Sequence, residues 1–131
     1  MADNGNVLRE RTRRFALDVI TLITHLPRGI AVDAIARQLV RSGTGVASNH
    51  RAAGRARSRR EFAARLAVAL EEADESEFWL STLLECHLAP AALVTPCFQE
   101  ACALRAILAA SVRTARQPQK SQASVPKFLS S

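Results

Sequence analysis

The sequence has no tyrosine and few aromatic residues of any kind, since phenylalanine and tryptophan together make up 5% of its 131 residues. Valine and isoleucine are scarce beside alanine and leucine, which disfavours β-strands and favours helices. Apolar residues nevertheless reach 48%, as in a folded chain and unlike a disordered one. At this length we expect a single all-α domain of three or four helices.

Cysteine is also rare, and the chain has only Cys86, Cys97 and Cys102. An odd number of thiols, without the spacing of a zinc knuckle, favours free thiols over disulfides or a metal site. The N-terminus lacks the apolar core of a secretory signal, and no apolar run approaches the roughly 18 residues of a membrane span. We therefore expect a cytoplasmic protein with no cofactor, no metal, no membrane contact and no small-molecule substrate.

Acidic residues are in deficit: 12 stand against 18 lysines and arginines, which gives a net charge of +6. Sixteen of these cations are arginines, whose planar side chain binds carboxylate and phosphate through paired hydrogen bonds. The balance is compatible with a nucleic acid or another anionic surface as partner. Codon usage in a GC-rich genome would produce the same excess, so the composition alone does not identify the partner.

Apolar residues recur at alternating steps of four and three, which is typical of helices. The pattern predicts helices over residues 8–26, 33–56, 59–86 and 96–116. It also predicts which residues face the core, for example Phe15, Val19 and Leu22 in the first helix. In the third helix these core residues include Phe62, Leu66 and Leu80. The residues that we interpret as helix boundaries are Pro27 and Gly29 after the first helix, Asp33 as cap of the second, Ser58 and Glu61 as capping box of the third, and Thr95–Pro96 at the start of the fourth.

These boundaries divide the chain into a flexible lead over residues 1–6, a helical body over 7–117 and a tail over 118–131. The tail is rich in Gln, Ser, Pro and Lys, which predicts disorder. Its Phe128–Leu129 pair is either a docking motif or, in the interpretation we favour, a chance apolar pair.

The segment Ser42-Gly43-Thr44-Gly45 interrupts the second helix with two glycines, each of which costs a helix about 1 kcal/mol relative to alanine. We favour a continuous helix whose glycines let a neighbouring helix approach, because the apolar rows keep their phase across them. The alternative is a helix-turn-helix DNA-binding motif with its turn at this segment and Asn49, His50 and Arg51 on a recognition helix.

Several segments together form a recognisable pattern: Phe15-Ala16, Gln38 to Thr44, Val46 to Asn49, Ala53 to Ser58, Glu61-Phe62, Leu66 and Glu72 to Leu80. Over about residues 8–116 the chain resembles the bacterial protein family encoded by intervening sequences in large-subunit ribosomal RNA genes. The resemblance implies an antiparallel up-down four-helix bundle that assembles into a ring, usually a homopentamer. Distant relatives are accessory proteins of diversity-generating retroelements, which partner with a reverse transcriptase and RNA.

The chain departs from this family at four positions. His50 and Phe78 stand where the family usually has tyrosine, Ala52 where it has an acidic residue, and Glu71 where it has a basic one. The missing acid at residue 52 makes the end of the second helix more basic than in the family.

The most basic stretch of the chain is an arginine corner between the second and third helices, with a net charge of +5 because only Glu61 offsets it. Cations are unfavourable at a helix N-terminus, so folding gives no reason for the two that begin the third helix. We predict phosphate contacts, repeated around the rim of a ring; the alternative is a solvated or ion-paired face. The predicted nucleic-acid-binding residues are Arg51, Arg55, Arg57, Arg59, Arg60 and Arg65.

The third helix also carries an acidic run, Glu71, Glu72, Asp74, Glu75 and Glu77, with Glu85 beyond it. Paired carboxylates can serve acid–base chemistry or bind a metal, but no histidine lies at a di-iron ligand spacing. We expect these acids to pair with arginines of an adjacent helix or subunit.

The predicted subunit-interface residues are Gly43, Ala47, Asn49 and Trp79. We interpret Trp79 as a packing anchor rather than a platform for a base, and His50 as a packing or interface residue rather than a general base. With no nucleophile–base set or phosphate loop, we predict a non-enzymatic homo-oligomer that contacts RNA, DNA or a nucleoprotein. The alternative is a structural protein–protein module without nucleic-acid affinity.

Overall fold

The computed structural model describes residues 3–118 and contains four helices and no strand within that range. They are α1 (Asp3–Thr24), α2 (Ile30–Ala53), α3 (Arg59–Glu85) and α4 (Ala91–Arg116). Each helix packs against the next, and α4 returns to contact α1, while the diagonal pairs do not touch. Connections of five residues between helices force neighbours to run antiparallel. The predicted up-down four-helix bundle is therefore confirmed; the predicted disordered tail lies outside the described residues beyond residue 118.

The predicted apolar rows form one core at the centre of the bundle. Phe15 and Val19 of α1, Leu39 of α2, Leu80 of α3 and Leu104 of α4 are almost completely buried. The prediction was wrong for Phe62, which is 37% exposed, because the neighbouring Ala63 takes the position that faces the core.

Three helices begin earlier than predicted: α2 begins at Ile30, three residues before the predicted start, and α1 and α4 each begin five residues before it. α1 begins at Asp3, so the predicted lead is helical in its described part. α4 begins at Ala91 after Pro90, which leaves Pro96 inside the helix, where it has no N–H to donate. The extra turn is favoured because it brings Val94 into the core, fully buried, and this packing outweighs the missing hydrogen bond.

Capping residues were predicted correctly at α3 and incorrectly at α2. The Glu61 N–H donates to Ser58 Oγ at 3.0 Å, as in a capping box. The Glu61 carboxylate also reaches back as predicted, but its Oε1 accepts from the Arg57 N–H at 3.1 Å, one residue before the cap residue that the standard motif uses. Asp33 does not cap α2, because it lies in the first turn and its carboxylate pairs with Arg28.

Helix α2 is continuous through both glycines, so the helix-turn-helix alternative is wrong. Gly43 and Gly45 both lie inside α2, and neither has a positive φ. A Cβ at Gly43 would lie 3.0 Å from Val19 Cγ1 of α1, and a Cβ at Gly45 would lie 2.9 Å from Glu72 Cδ of α3. The glycines therefore let two different helices approach α2, as the favoured interpretation required.

Helix α4 is the one described helix that is long and apolar enough, by length and composition, to cross a membrane. In the bundle its most apolar face, which includes Val94, Leu104 and Leu108, packs in the core. Glu100 and Arg105 lie within the same helix and form ion pairs with α1 and α3. The apolar composition of α4 thus matches its role as a core helix.

We expect Gly43→Ala to lower the free energy of unfolding by about 1 kcal/mol. Crowding against the buried Val19 costs about 1–3 kcal/mol, whereas the better helix propensity of alanine returns about 1 kcal/mol. In a Val19→Ala background the crowding is absent, so the same substitution should stabilise the protein relative to that background. Urea unfolding of the four proteins measures the difference, and an equal loss in both backgrounds would contradict this packing.

Candidate nucleic-acid interface

The structure gathers the arginine corner at one end of the bundle, around the connection between α2 and α3. Arg51 lies in the last turn of α2, Arg55 and Arg57 lie in the connection, and Arg59 and Arg60 begin α3. Arg65 follows one to two turns into α3, and all six side chains are exposed. Because α4 ends at the same end, it adds Arg116, which sequence reasoning missed since no local pattern joins it to the others.

The first turns of α3 divide these arginines between two grooves. The first groove, of about 340 Å³, is lined by Arg51, Arg55, Arg57 and Arg65 together with Ser48, Ala52 and Glu61. The second groove, of about 560 Å³, lies between α3 and α4 and is lined by Arg59, Arg60 and Arg116 together with Ala63, Ala64, Ala115, Gln117 and Pro118. The corner therefore presents two basic surfaces.

The positive charge of the corner is not neutralised by the rest of the described chain. None of its six arginines lies within ion-pair distance of a carboxylate among residues 3–118. Glu61 is the one acid in the corner, and its carboxylate is used in the capping box. Arg59 Nη2 donates to the Thr114 carbonyl at 3.4 Å, which orients the side chain without reducing its charge.

Two arginines elsewhere in the bundle, Arg41 and Arg105, are paired with the acidic run. Arg41 of α2 binds Glu72, at 3.3 Å, and Glu75 on α3, and Arg105 of α4 binds Glu77. The predicted pairing with an adjacent helix is confirmed for these three acids. The described residues contain no group of three or more potential metal-ligating side chains.

A small polar contact lies beside the Arg41 pairs, and together they form what we call the α2–α3 seam: Arg41, Ser42 and Gly45 on α2 with Glu72, Glu75 and Ser76 on α3. Ser42 and Ser76 are fully buried, and their hydroxyl oxygens are 2.9 Å apart. Each also reaches a carbonyl of its own helix. Both buried hydroxyls thus have partners, as buried polar groups require.

The predicted interface residues have different environments within the subunit. Gly43 is buried against Val19 of the same chain, and its predicted interface role stays a prediction. Asn49 Nδ2 donates to the Gly45 carbonyl at 2.9 Å, and Ala47 is half-buried. Trp79 is half-buried, donates from Nε1 to Glu75 at 3.3 Å, and has its ring 4.8 Å from that of Phe78. The interface role of Ala47, Asn49 and Trp79 stays a prediction.

A larger apolar cavity, which we call the α1–α4 groove, opens at the same end and was missed by sequence reasoning. Its volume is about 660 Å³. Its apolar walls are Val7 and Leu8 of α1, Phe62 and Leu66 of α3 and Ile107, Ala110 and Ala115 of α4, and its polar lining is Arg11, His50, Arg59, Ser111 and Thr114. Arg59 also lines the second basic groove, so the two cavities are neighbours.

His50 at this cavity is the one buried polar side chain of the described residues that lacks a hydrogen-bond partner, at its Nδ1 atom. Burial lowers the pKa of the imidazole, and the nearby positive charge of Arg9 lowers this pKa further. Both effects favour the neutral ring. The packing or interface role expected for His50 stays a prediction.

The three thiols are free, and they differ in exposure. Burial, with smaller contributions from Asp18 and Glu100, raises the pKa of Cys97 to about 11. Cys86 is exposed at the end of α3, and Cys102 is half-buried. The thiolate of Cys97 is therefore scarce near neutral pH, which makes it an unreactive core residue.

Known proteins resemble this chain over most of its length. A family model described as 23S rRNA-intervening sequence protein matches residues 6–110. The chain is also similar to the crystal structure, at 1.70 Å resolution, of a protein with unknown function from the S23 ribosomal protein family of Bacteroides thetaiotaomicron. The two superpose with a TM-score of 0.72 at 25% sequence identity, over 83% of this chain and 97% of that chain. No curated protein matches the chain.

We expect the stability of the protein to fall in mildly acidic solution because of His50. Its pKa is lower in the folded than in the unfolded state, so its contribution is complete above the ordinary histidine pKa of about 6.5. The contribution is lost as the pH falls through the folded-state pKa, because the unfolded chain then binds the proton more readily. The urea midpoint of the parent protein should be lower on the acidic side of that range than on the neutral side. The two midpoints of His50→Gln should lie closer together, because this variant lacks the titrating imidazole. An identical pH dependence of the two proteins would contradict this assignment.

Proposed function

This chain belongs to the 23S rRNA-intervening sequence protein family, and on that premise we propose that it is a non-enzymatic bundle protein that contacts nucleic-acid phosphates through the arginine corner. The observation that carries the proposal is the division of the arginines. Those facing the acidic run are paired, whereas the six of the corner are exposed and lack a carboxylate partner in the described chain.

The corner has the chemistry that phosphate binding requires. Arg59 and Arg60 lie at the N-terminus of α3, where the helix dipole is unfavourable to a cation and favourable to an anion. A phosphate bound beside them would relieve that repulsion, so these two residues gain more from an anionic partner than from solvent. Each phosphate that an arginine neutralises also releases condensed counterions, which favours binding at low salt.

The acidic residues support a role without catalysis. Glu72, Glu75 and Glu77 of the acidic run are each held by an arginine of a neighbouring helix. These ion pairs occupy carboxylate oxygens that acid–base or metal chemistry would need. These residues hold the bundle together, in keeping with an adaptor or assembly protein in the cytoplasm.

We further propose a homo-oligomer, with a pentamer as the expected state. Phe78 supports this, because its side chain is 56% exposed beside the half-buried Trp79, and exposed aromatic pairs are typical of interfaces. In a ring each subunit would present one arginine corner on the same rim, and the phosphate contacts would add along one nucleic-acid strand. The same aromatic pair favours the second candidate function, a protein–protein module without nucleic-acid affinity.

The test uses three variants with the same change of net charge. Arg55→Glu/Arg57→Glu alters the first basic groove, Arg59→Glu/Arg60→Glu alters the second, and Arg14→Glu/Arg37→Glu changes two exposed arginines outside the corner that have no ion pair among the described residues. Fluorescence anisotropy with single-stranded RNA is measured over a range of salt concentrations. We expect each corner variant to bind at least about tenfold more weakly near 0.1 M salt and to flatten the slope of log K against log salt by about 1.4, or 0.7 for each lost phosphate contact.

The control variant separates a local site from general charge. Equal weakening by the control and by the corner variants would show that only total charge matters, which contradicts a corner site. If the parent protein does not bind RNA or DNA at low salt, the nucleic-acid proposal is wrong and the protein–protein module remains. Light scattering of the same samples measures the subunit number.

A further inference from the structure

The α1–α4 groove exposes apolar surface that nothing in the described chain covers. Val7 is 62% exposed and Phe62 is 37% exposed at its walls. A cavity of about 150 Å³ holds one benzene molecule. The groove, at about 660 Å³, therefore has room for several large side chains.

The groove exists because α1 and α4 pack together less extensively than any other neighbouring pair of helices. Arg11 binds Glu100 across the two helices with contacts of 2.6 and 2.9 Å. Arg11 also lines the groove, so this ion pair marks the place where α1 and α4 still meet. From there toward the arginine corner, the gap between them has the first turns of α3 as its floor.

The chain leaves α4 at the edge of this gap. Thr114 and Ala115 line the α1–α4 groove, and Ala115, Arg116, Gln117 and Pro118 line the adjoining second basic groove. Phe128 lies ten positions after Pro118, with nine residues between them, and ten steps of extended chain span up to about 33–36 Å. The wall from Arg59 to Leu66 of α3 is only about 10 Å long at the helical rise per residue. The segment beyond Pro118 can therefore reach every part of the groove.

The composition of that segment matches the groove. Residues 119–131 consist of Gln, Lys, Ser, Ala and Pro apart from three large apolar residues, Val125, Phe128 and Leu129. The charged side chains that line the groove are Arg11 and Arg59, and the segment carries lysines, so the charges of the two are alike. The favourable contacts would therefore come from the apolar side chains of the segment. Burying an aromatic and two aliphatic side chains is the largest gain available to this segment.

We propose that the α1–α4 groove binds the chain's own segment 119–131, with Phe128 and Leu129 inserted between α1 and α4. This interpretation replaces our preference for a chance apolar pair. It can be tested apart from nucleic-acid binding, because the groove shares only Arg59 with the six arginines of the corner.

The test is nuclear magnetic resonance on the full-length protein with labelled methyl groups and phenylalanine. We expect nuclear Overhauser contacts between the Phe128 ring and the methyl groups of Leu8, Leu66 and Ile107. Phe128→Ser/Leu129→Ser should abolish the contacts and shift the resonances of the three groove residues. The matched control Ser130→Ala/Ser131→Ala should leave both unchanged.

A second variant tests the groove from its other wall. Ala110 is exposed on α4 and lines the groove, so Ala110→Trp should fill it and release Phe128 without altering the core. Phe128→Ser/Leu129→Ser should then have no further effect on Leu8 or Leu66. Absence of any contact in the parent protein would overturn the proposal. Contacts seen only between differently labelled copies in a mixed sample would also overturn it, because a second copy would then occupy the groove.

Discussion

The close approach of α2 and α3 is the constraint on which the rest of the bundle depends. At the α2–α3 seam, Gly45 leaves room for the Glu72 side chain, and Glu72 with Glu75 then reaches Arg41. The buried contact between Ser42 and Ser76 lies next to it. A buried hydroxyl pair is favourable only if both groups are satisfied, so this contact fixes the register of the two helices. That register in turn sets the connection that carries the arginine corner.

The seam also explains the distribution of charge. The acids of α3 lie in its central turns, where Arg41 and Arg105 approach from both neighbouring helices. The first turns of α3 carry arginines instead, and the one acid there, Glu61, caps the helix. One helix therefore has an acidic middle, in which Glu72, Glu75 and Glu77 are ion-paired, and a cationic start. This asymmetry places six unpaired arginines of the described chain at a single end, although the total net charge of the protein is only moderate.

Most of the fold could be predicted from the sequence, because the period of the apolar residues fixes which face of each helix is buried. Phe15, Val19 and Leu39 follow directly from that period, and Ser58 with Glu61 is a local signal that needs no tertiary information. The start of α4 could not be predicted, because the burial of Val94 overrides the boundary that Pro96 indicates locally. The burial predicted for Phe62 was wrong for a related reason, because the orientation of α3 turns Ala63 toward the core in its place.

The candidate site was predictable only in part. The arginine corner is contiguous in sequence, so its six members could be identified, but Arg116 joins them only through the antiparallel return of α4. The α1–α4 groove depends on the spacing between two helices that are far apart in the sequence. No local sequence pattern predicts that spacing. The close approach of Val19 to Gly43 could not be predicted, because a small residue permits close packing without indicating which helix will approach it.

The position of Glu72 over Gly45 has a consequence for substitutions at residue 45. A side chain at residue 45 would occupy the space of the Glu72 carboxyl group, and moving that group would separate it from Arg41. The end of a glutamate side chain is flexible, so alanine or serine at residue 45 would displace the Glu72 carboxyl group rather than forbid it. The pairing of Arg41 would then fall to Glu75.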